Sequence, residues 1–277
     1  MMQVVLNILM LSIIEVTYLF GFVIIAGFLL GQIQAVSNKW AYQAFGRRGI
    51  LLTAYIGTPI HEIGHAVMCL LFGHKINAIK LLTMNPQNST LGYVNHSFNK
   101  HSLCQVIGNF FISLGPIGSG TAAILFYMYM LEPAAFSTLQ QHIIAASVDH
   151  ITIADFISRS AQSIIIVYDE LINGENVSSL NFWIFVWLAM CTSSHIALSE
   201  ADIKQGISGL MVIFLVTVLV NVGASLFGIP ILQYVLTAAK YNLYAVAVLS
   251  VSVAFSLLTA LIMRSCCGIK RFIMNKC

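Results

Sequence analysis

Apolar runs of about twenty residues recur along this 277-residue chain, and they restrict its fold more than any other feature. A run of that length crosses a bilayer as a helix, because a helix satisfies its backbone hydrogen bonds internally. Apolar residues make up 58% of the chain and charged residues only 8%, whereas about one quarter of a typical globular domain is charged. We therefore predict an all-α, multi-pass integral membrane protein.

Six of the apolar runs are predicted to be transmembrane helices. They cover residues 4–33, 50–72, 106–131, 181–198, 207–227 and 241–263. Residues 132–180 form the most polar stretch, so we expect this insertion to lie outside the bilayer or at its interface. A Gly-Pro-rich start to the third run predicts close approach between helices.

A β-hairpin is predicted between the second and third spans. Residues 75–80 alternate between polar and apolar side chains, as a half-exposed strand does. The Asn-Pro-Gln-Asn sequence at 85–88 is typical of a turn, and residues 91–94 supply the second strand. The predicted fold is thus about six transmembrane helices with one short hairpin after the second.

Charge and cysteine content exclude several other classes of protein. The net charge of +3 is small and dispersed, which argues against a nucleic-acid partner. The six cysteines show no Cys-x-x-Cys spacing, so we interpret them as buried thiols, with neither a disulfide framework nor a zinc knuckle. We expect the protein to lie in a lipid bilayer, and we expect that bilayer to be the cell membrane.

Two histidines and a glutamate interrupt the second apolar run. His61, Glu62 and His65 belong to the sequence His-Glu-Ile-Gly-His, in which the two imidazoles are four residues apart and share one helix face. Ionisable side chains at membrane depth are costly, and a bound cation compensates for three of them in one turn. We predict a Zn²⁺ site with His61 and His65 as ligands and Glu62 as general base. A hydrogen-bonded structural cluster or a proton relay is the alternative.

A catalytic zinc usually has three protein ligands, so the histidine pair needs a partner. The metzincin pattern would require a histidine at position 71, which is Leu71. The remaining candidates are Asp202, Glu200, His195 and Glu132. Asp202 is favoured, because it follows the fourth predicted span, whose C-terminal end faces the same leaflet as that of the second. Two other interpretations stay open: Asp202 as a helix-capping carboxylate after Ser199, and His195 as a residue that orients a ligand.

The arrangement resembles the site-2 protease family of membrane-embedded zinc metalloproteases. The resemblance covers about residues 54–209, with the His-Glu-Ile-Gly-His motif, the hairpin, a Gly-Pro pair at 115–116 and an aspartate after the fourth span. It implies that His61, His65 and Asp202 bind zinc and that Glu62 is the base. Two features depart from the family: Ala201 and Ile203 flank the aspartate where Leu and Gly are common, and Ser119 stands where Asn is frequent.

The predicted function is hydrolysis of peptide bonds in membrane-spanning or membrane-proximal substrates. Residues 1–277 are treated as one membrane domain, with a metal-binding core at about 50–209 and the polar insertion at about 132–180. Residues 75–94 are expected to hold an unwound substrate by strand addition. The alternatives are a membrane transporter or metal-binding protein that uses the same polar cluster, and a degenerate protease that acts as a binding module.

Overall fold

The computed structural model describes residues 2–84, 90–145, 153–239 and 241–274. Most of these residues are helical, and one small antiparallel sheet interrupts the helices. The helices are α1 (Met2–Val16), α2 (Phe22–Phe45), α3 (Arg47–Leu71), α4 (Leu103–Leu131), α5 (Pro133–Ala145), α6 (Ile153–Leu171), α7 (Gly174–Val177), α8 (Leu180–Ser193), α9 (Glu200–Phe227), α10 (Ile231–Ala239) and α11 (Asn242–Met274). A π-helical turn, Thr17–Gly21, joins α1 to α2 without a break.

Four helical segments are long and apolar enough to cross a membrane, which agrees with an integral membrane protein. They are Met2–Phe45, Leu103–Leu131, Glu200–Phe227 and Asn242–Met274. The prediction of six spans is not reproduced. The predicted fourth span becomes α8, whose 14 residues extend for about 21 Å, less than the roughly 30 Å hydrocarbon core. The predicted second span becomes α3, which begins with two arginines and carries the polar motif.

The first apolar segment is much longer than the predicted span 4–33. Its 44 residues form a continuous helical rod of about 66 Å. The N-terminal third of this rod packs against α9 through a buried polar contact. The amide of Asn221 donates to Oε2 of Glu15 at 2.6 Å and to the hydroxyl of Ser12 at 3.0 Å. These buried hydrogen bonds attach α1 to α9.

The predicted hairpin is present as strands β1 (Lys75–Lys80) and β2 (Tyr93–Ser97). They pair antiparallel, with Lys75 opposite Ser97 and Lys80 opposite Tyr93, and an irregularity lies between Ile76 and Ala78. The second strand begins two residues later than the predicted segment 91–94. The predicted turn at 85–88 lies outside the described residues. Gly73, with φ of 69°, ends α3 and turns the chain into β1.

Helices α3 and α4 pack antiparallel at very short range, as the Gly-Pro-rich sequence predicted. A Cβ atom added at Gly64 would collide with the carbonyl oxygen of Gly115, and one added at Gly115 would lie 2.6 Å from the carbonyl oxygen of Gly64. The hydroxyl of Ser119 donates to the carbonyl of Ile60 at 2.7 Å. The helix α3 continues through Pro59. The motif is therefore fixed against α4 by backbone contact.

The polar insertion is packed into the helical body. Leu139 of α5 and Val167 of α6 are fully buried, and they share a hydrophobic core with Phe185 of α8 and Val248 of α11. The apolar faces of α5 and α6 thus pack in one core with α8 and α11. The location of residues 132–180 outside the bilayer or at its interface stays a prediction. Asp149, one of the acidic residues of this insertion, lies outside the described part of the chain.

Candidate metal centre

His61 and His65 lie on one face of α3 with their rings directed toward the same point. Their Nε2 atoms are 3.1 Å apart, and the ring planes are inclined by 72°. The spacing of four residues puts both side chains on the same side of the helix, one turn apart. Both Nε2 atoms are therefore available to a single ion.

In both imidazoles the second ring nitrogen, Nδ1, is hydrogen-bonded to a backbone carbonyl. Nδ1 of His61 donates to the carbonyl of His195 at 2.7 Å, and Nδ1 of His65 donates to the carbonyl of Ile112 at 2.8 Å. With the proton on Nδ1, each neutral ring keeps its Nε2 lone pair free. A hydrogen bond from the second ring nitrogen to a carbonyl is the usual support of a metal-binding histidine.

Asp202 completes a cluster of three ligand atoms. Its Oδ1 lies 3.4 Å from Nε2 of His65, and one atom from each of His61, His65 and Asp202 falls within 4.8 Å of the others. Two ligands that bind one tetrahedral zinc at about 2.1 Å are about 3.4 Å apart. The two imidazoles and the carboxylate thus fit the donor set and the spacing of a zinc site. Whether they bind zinc stays a prediction.

Asp202 follows α8, the helix of the predicted fourth span. It lies in the first turn of α9, which begins seven residues before the predicted fifth span. Its Oδ2 accepts the backbone N–H of Ser199 at 2.8 Å, and the Ser199 hydroxyl accepts the N–H of Asp202 at 3.2 Å. This is a capping box, so the interpretation of Asp202 as a helix-capping residue is confirmed.

Contacts between α9 and α4 hold this turn in place. The hydroxyl of Ser113 donates to the backbone carbonyl of Asp202 at 2.7 Å. A Cβ atom added at Gly206 would lie 2.9 Å from Oγ of Ser113, and one added at Gly209 would lie 2.6 Å from the backbone nitrogen of Phe110. Without side chains at these two glycines, α9 approaches α4 closely enough to bring Asp202 to His65.

The side chains of the other three candidates for the third ligand do not join this group of ligand atoms. Glu200 is almost fully exposed and faces Lys204, 4.0 Å away. The ring of His195 is buried, and its Nε2 is 2.9 Å from Oγ1 of Thr53. Glu132 follows the far end of α4, about 30 Å along the helix from Ile112. The backbone carbonyl of His195 holds the ring of His61, and a role for His195 in orienting a ligand stays a prediction.

Glu62 faces a cavity beside the cluster. The cavity has a volume of about 440 Å³, and all four predicted site residues line it together with residues 90–94. The segment at 90–94 lies directly over Glu62: a Cβ atom added at Gly92 would be 2.8 Å from both Cγ and Oε1 of that side chain. The hairpin therefore forms one wall of the candidate site, against the carboxylate.

Sequence reasoning missed several residues of this region. Nothing in the motif indicated that the carbonyls of Ile112 and His195 hold the imidazoles. Gln205, one turn after Asp202, lines the same cavity, as does His96 of β2. The available signal was the sequence spacing of Gln205 from Asp202, since residues three apart share a helix face.

The sequence matches no model of a known protein family and no curated protein, and no solved structure matches the chain.

Proposed function

We propose that this protein is a membrane-embedded zinc metalloprotease that resembles the site-2 protease family. The observation that supports the proposal is the convergence of His61, His65 and Asp202, each held by a second contact, beside Glu62 in an open cavity. A catalytic zinc site typically has three protein ligands and an open fourth position for water or substrate. The four apolar helical segments support a multi-pass arrangement, which we place in the cell membrane.

In this proposal His61, His65 and Asp202 hold the metal and Glu62 moves the proton. Bound zinc supplies Lewis-acid chemistry, which activates water and polarises a peptide carbonyl. The Glu62 carboxylate accepts a proton from the attacking water and then delivers it to the leaving amine. The C–N bond of the peptide breaks while a new C–O bond forms, so that a carboxylate and an amine are released.

The substrate class follows from the surroundings of the cavity. Residues 90–94 line the cavity and continue into β2, whose backbone runs beside α3. A transmembrane helix that unwinds presents free backbone groups, which an exposed strand edge binds by hydrogen bonds. We propose a membrane protein or peptide as substrate, with its unwound segment laid along residues 90–94.

Zinc content and cleavage of a membrane-helix test peptide distinguish this function from its alternatives. The purified wild type is expected to hold about one zinc ion at this site and to cleave the peptide. His65→Ala loses the zinc ion of this site and the cleavage. Glu62→Gln keeps most of the zinc but loses about 10²- to 10⁴-fold in cleavage rate, which is the usual contribution of a general base.

The matched control is Glu200→Gln, a carboxylate two residues before Asp202 that points into solvent. It is expected to leave both zinc and cleavage unchanged. A wild type that binds zinc but does not cleave, and whose ion uptake into vesicles depends on Glu62, would overturn the protease in favour of a transporter. A wild type without zinc after reconstitution would overturn the metal centre itself.

A further inference from the structure

A second cluster of metal-ligating side chains lies one helical turn beyond the first. Among the described residues, Cys69, His74 and His96 bring one ligand atom each within 4.8 Å of the others. Cys69 is fully buried, and His74 is only 4% exposed. None of the three belongs to the proposed catalytic set. A thiol and two imidazoles form a donor set that suits zinc.

The end of α3 builds this cluster. Cys69 follows His65 by four residues, so it lies on the same helix face, one turn nearer the C-terminus. Gly73 then reverses the chain, and the backbone N–H of His74 donates to the carbonyl of Cys69 at 2.8 Å. His96 comes from β2, opposite Ile76 of β1. The cluster therefore joins the last turn of α3 to both strands of the hairpin.

The hydrogen bonds of His74 direct its lone pair into the cluster. Its Nε2 donates to the carbonyl of Gln105 at 2.8 Å, so Nδ1 of the neutral ring carries the lone pair. That Nδ1 lies 3.1 Å from Nδ1 of His96, the same separation as between the two imidazoles of the first site. The carbonyl contact repeats the support given to His61 and His65, which is typical of metal-binding histidines.

The side-chain amide of Gln205 contacts the other nitrogen of the His96 ring. Its Nε2 lies 2.9 Å from Nε2 of His96 and 3.3 Å from Oδ1 of Asn109. With the amide nitrogen donating to the ring, Nδ1 of His96 carries the proton and donates to Nδ1 of His74, so the ion-free cluster is joined by a hydrogen bond of 3.1 Å. A cation takes the place of that proton. Both Nδ1 lone pairs then face the ion, Nε2 of His96 carries the proton, and the Gln205 amide turns over to accept it.

We propose that Cys69, His74 and His96 form a second zinc site, with a structural role. The thiolate of Cys69 and the Nδ1 atoms of the two histidines bind the ion, and the Gln205 amide turns over so that its oxygen, in place of its nitrogen, faces the protonated Nε2 of His96. The ion fastens the hairpin to the C-terminal end of α3. Because β2 continues from residues 90–94, this attachment also keeps Gly92 in position over Glu62.

Cobalt is the probe that separates the two sites, because only the second contains sulfur. A thiolate bound to Co²⁺ produces a charge-transfer band in the near ultraviolet, whereas a site of histidine and aspartate does not. Full-length protein in detergent, stripped of metal and reloaded with Co²⁺, is expected to bind about two ions per chain and to show this band. Cys69→Ala and Cys69→Ser lose the band and one ion.

Two variants serve as controls, one for the thiol and one for the first site. Cys104→Ala removes an exposed cysteine, the second residue of α4, and is expected to keep the band. His65→Ala is expected to lose one cobalt ion and to keep the band, so a failure of the proposed protease site does not remove the signal. Trypsin cleavage at Lys75 or Lys80 is expected to accelerate in Cys69→Ala, because the hairpin loses its attachment.

The absence of the band in reloaded wild type, together with equal cobalt content in wild type and Cys69→Ala, would overturn the second site. It would leave the hydrogen-bonded arrangement of His74, His96 and Gln205 in its place. A band that persists in Cys69→Ala and disappears in Cys104→Ala would overturn it as well.

Discussion

Oδ1 of Asp202 lies 3.4 Å from Nε2 of His65, where the first turn of α9 meets the middle of α4 and the C-terminal half of α3. The other oxygen of the same carboxylate accepts the N–H of Ser199 at 2.8 Å. One side chain therefore starts a helix and faces the candidate metal. Because the cap fixes the carboxylate before any ion arrives, little side-chain freedom remains to be lost on binding.

The two roles of Asp202 are separable by mutation. Asp202→Ala is expected to weaken zinc binding by at least the ~10- to 100-fold typical of changes that only touch a ligand's support. Ser199→Ala removes the capping hydroxyl and is expected to destabilise the protein by about 1 kcal/mol. Zinc retention in competition with a chelator measures the first effect, and thermal unfolding in detergent measures the second.

Ser199→Ala should retain zinc better than Asp202→Ala, since the carboxylate stays in place. Equal zinc retention in Asp202→Ala and wild type would contradict Asp202 as a ligand. In that case its contact with His65 would be only an ion pair.

The backbone contact between Gly64 and Gly115 predicts a sharp difference between two glycines of α4. Gly115→Ala puts a methyl group 2.6 Å from the carbonyl oxygen of Gly64, and overpacking of this kind costs about 1–3 kcal/mol. Gly118→Ala, three residues along, meets only Cε of Met68 at 3.9 Å. We expect a lower unfolding temperature and weaker zinc binding in the first variant and wild-type behaviour in the second. Equal stability of the two would contradict the close packing of α3 on α4.

The part of the candidate site that depends on local helix geometry could be predicted from the sequence. The spacing of His61 and His65 on one helix decides which way their rings point, so a motif of five residues was enough to predict their convergence. Asp202 was predicted for a different reason, the parallel direction of two spans. Its actual position depends on the capping box and on the contact of Ser113 with its backbone carbonyl. The first of these is visible in sequence, and the second is tertiary.

The number of membrane-spanning helices was harder to predict than the helical character. An apolar run such as 181–198 shows composition but not where a helix ends, and α8 ends at Ser193. After that residue the chain turns through His195, whose carbonyl reaches His61. Any residue has a backbone carbonyl, so no side-chain pattern reveals which carbonyl will support a ligand.

Gly92 is expected to be essential for cleavage but not for zinc binding. Gly92→Ala places a Cβ atom 2.8 Å from Oε1 of Glu62 and 2.9 Å from the carbonyl oxygen of Leu81, so either the carboxylate or the hairpin must move. Because Glu62 is not a proposed ligand, the zinc content is expected to stay unchanged while the cleavage rate falls. Gly223→Ala on α9, where nothing lies within 4 Å of an added Cβ, is the control and is expected to match wild type in both. Undiminished cleavage by Gly92→Ala would contradict the placement of this segment over Glu62.

Thr53 is predicted to act on the metal through two contacts. Its hydroxyl lies 2.9 Å from Nε2 of His195, and the backbone carbonyl of His195 accepts the Nδ1 proton of His61. Thr53→Val keeps the shape of the side chain but leaves the buried His195 ring without this partner, at a cost of about 1–3 kcal/mol. If His195 then shifts, zinc affinity falls by about 10- to 100-fold, as is typical when the support of a ligand is lost.

Thr217→Val, which removes only a hydroxyl bonded to the Ile213 carbonyl within α9, is the control. Chelator competition on both variants, with unfolding temperatures measured in parallel, separates a loss of zinc affinity from a loss of stability. An unfolding temperature lowered in Thr53→Val with zinc affinity unchanged would show that the His195 carbonyl keeps its place without the threonine.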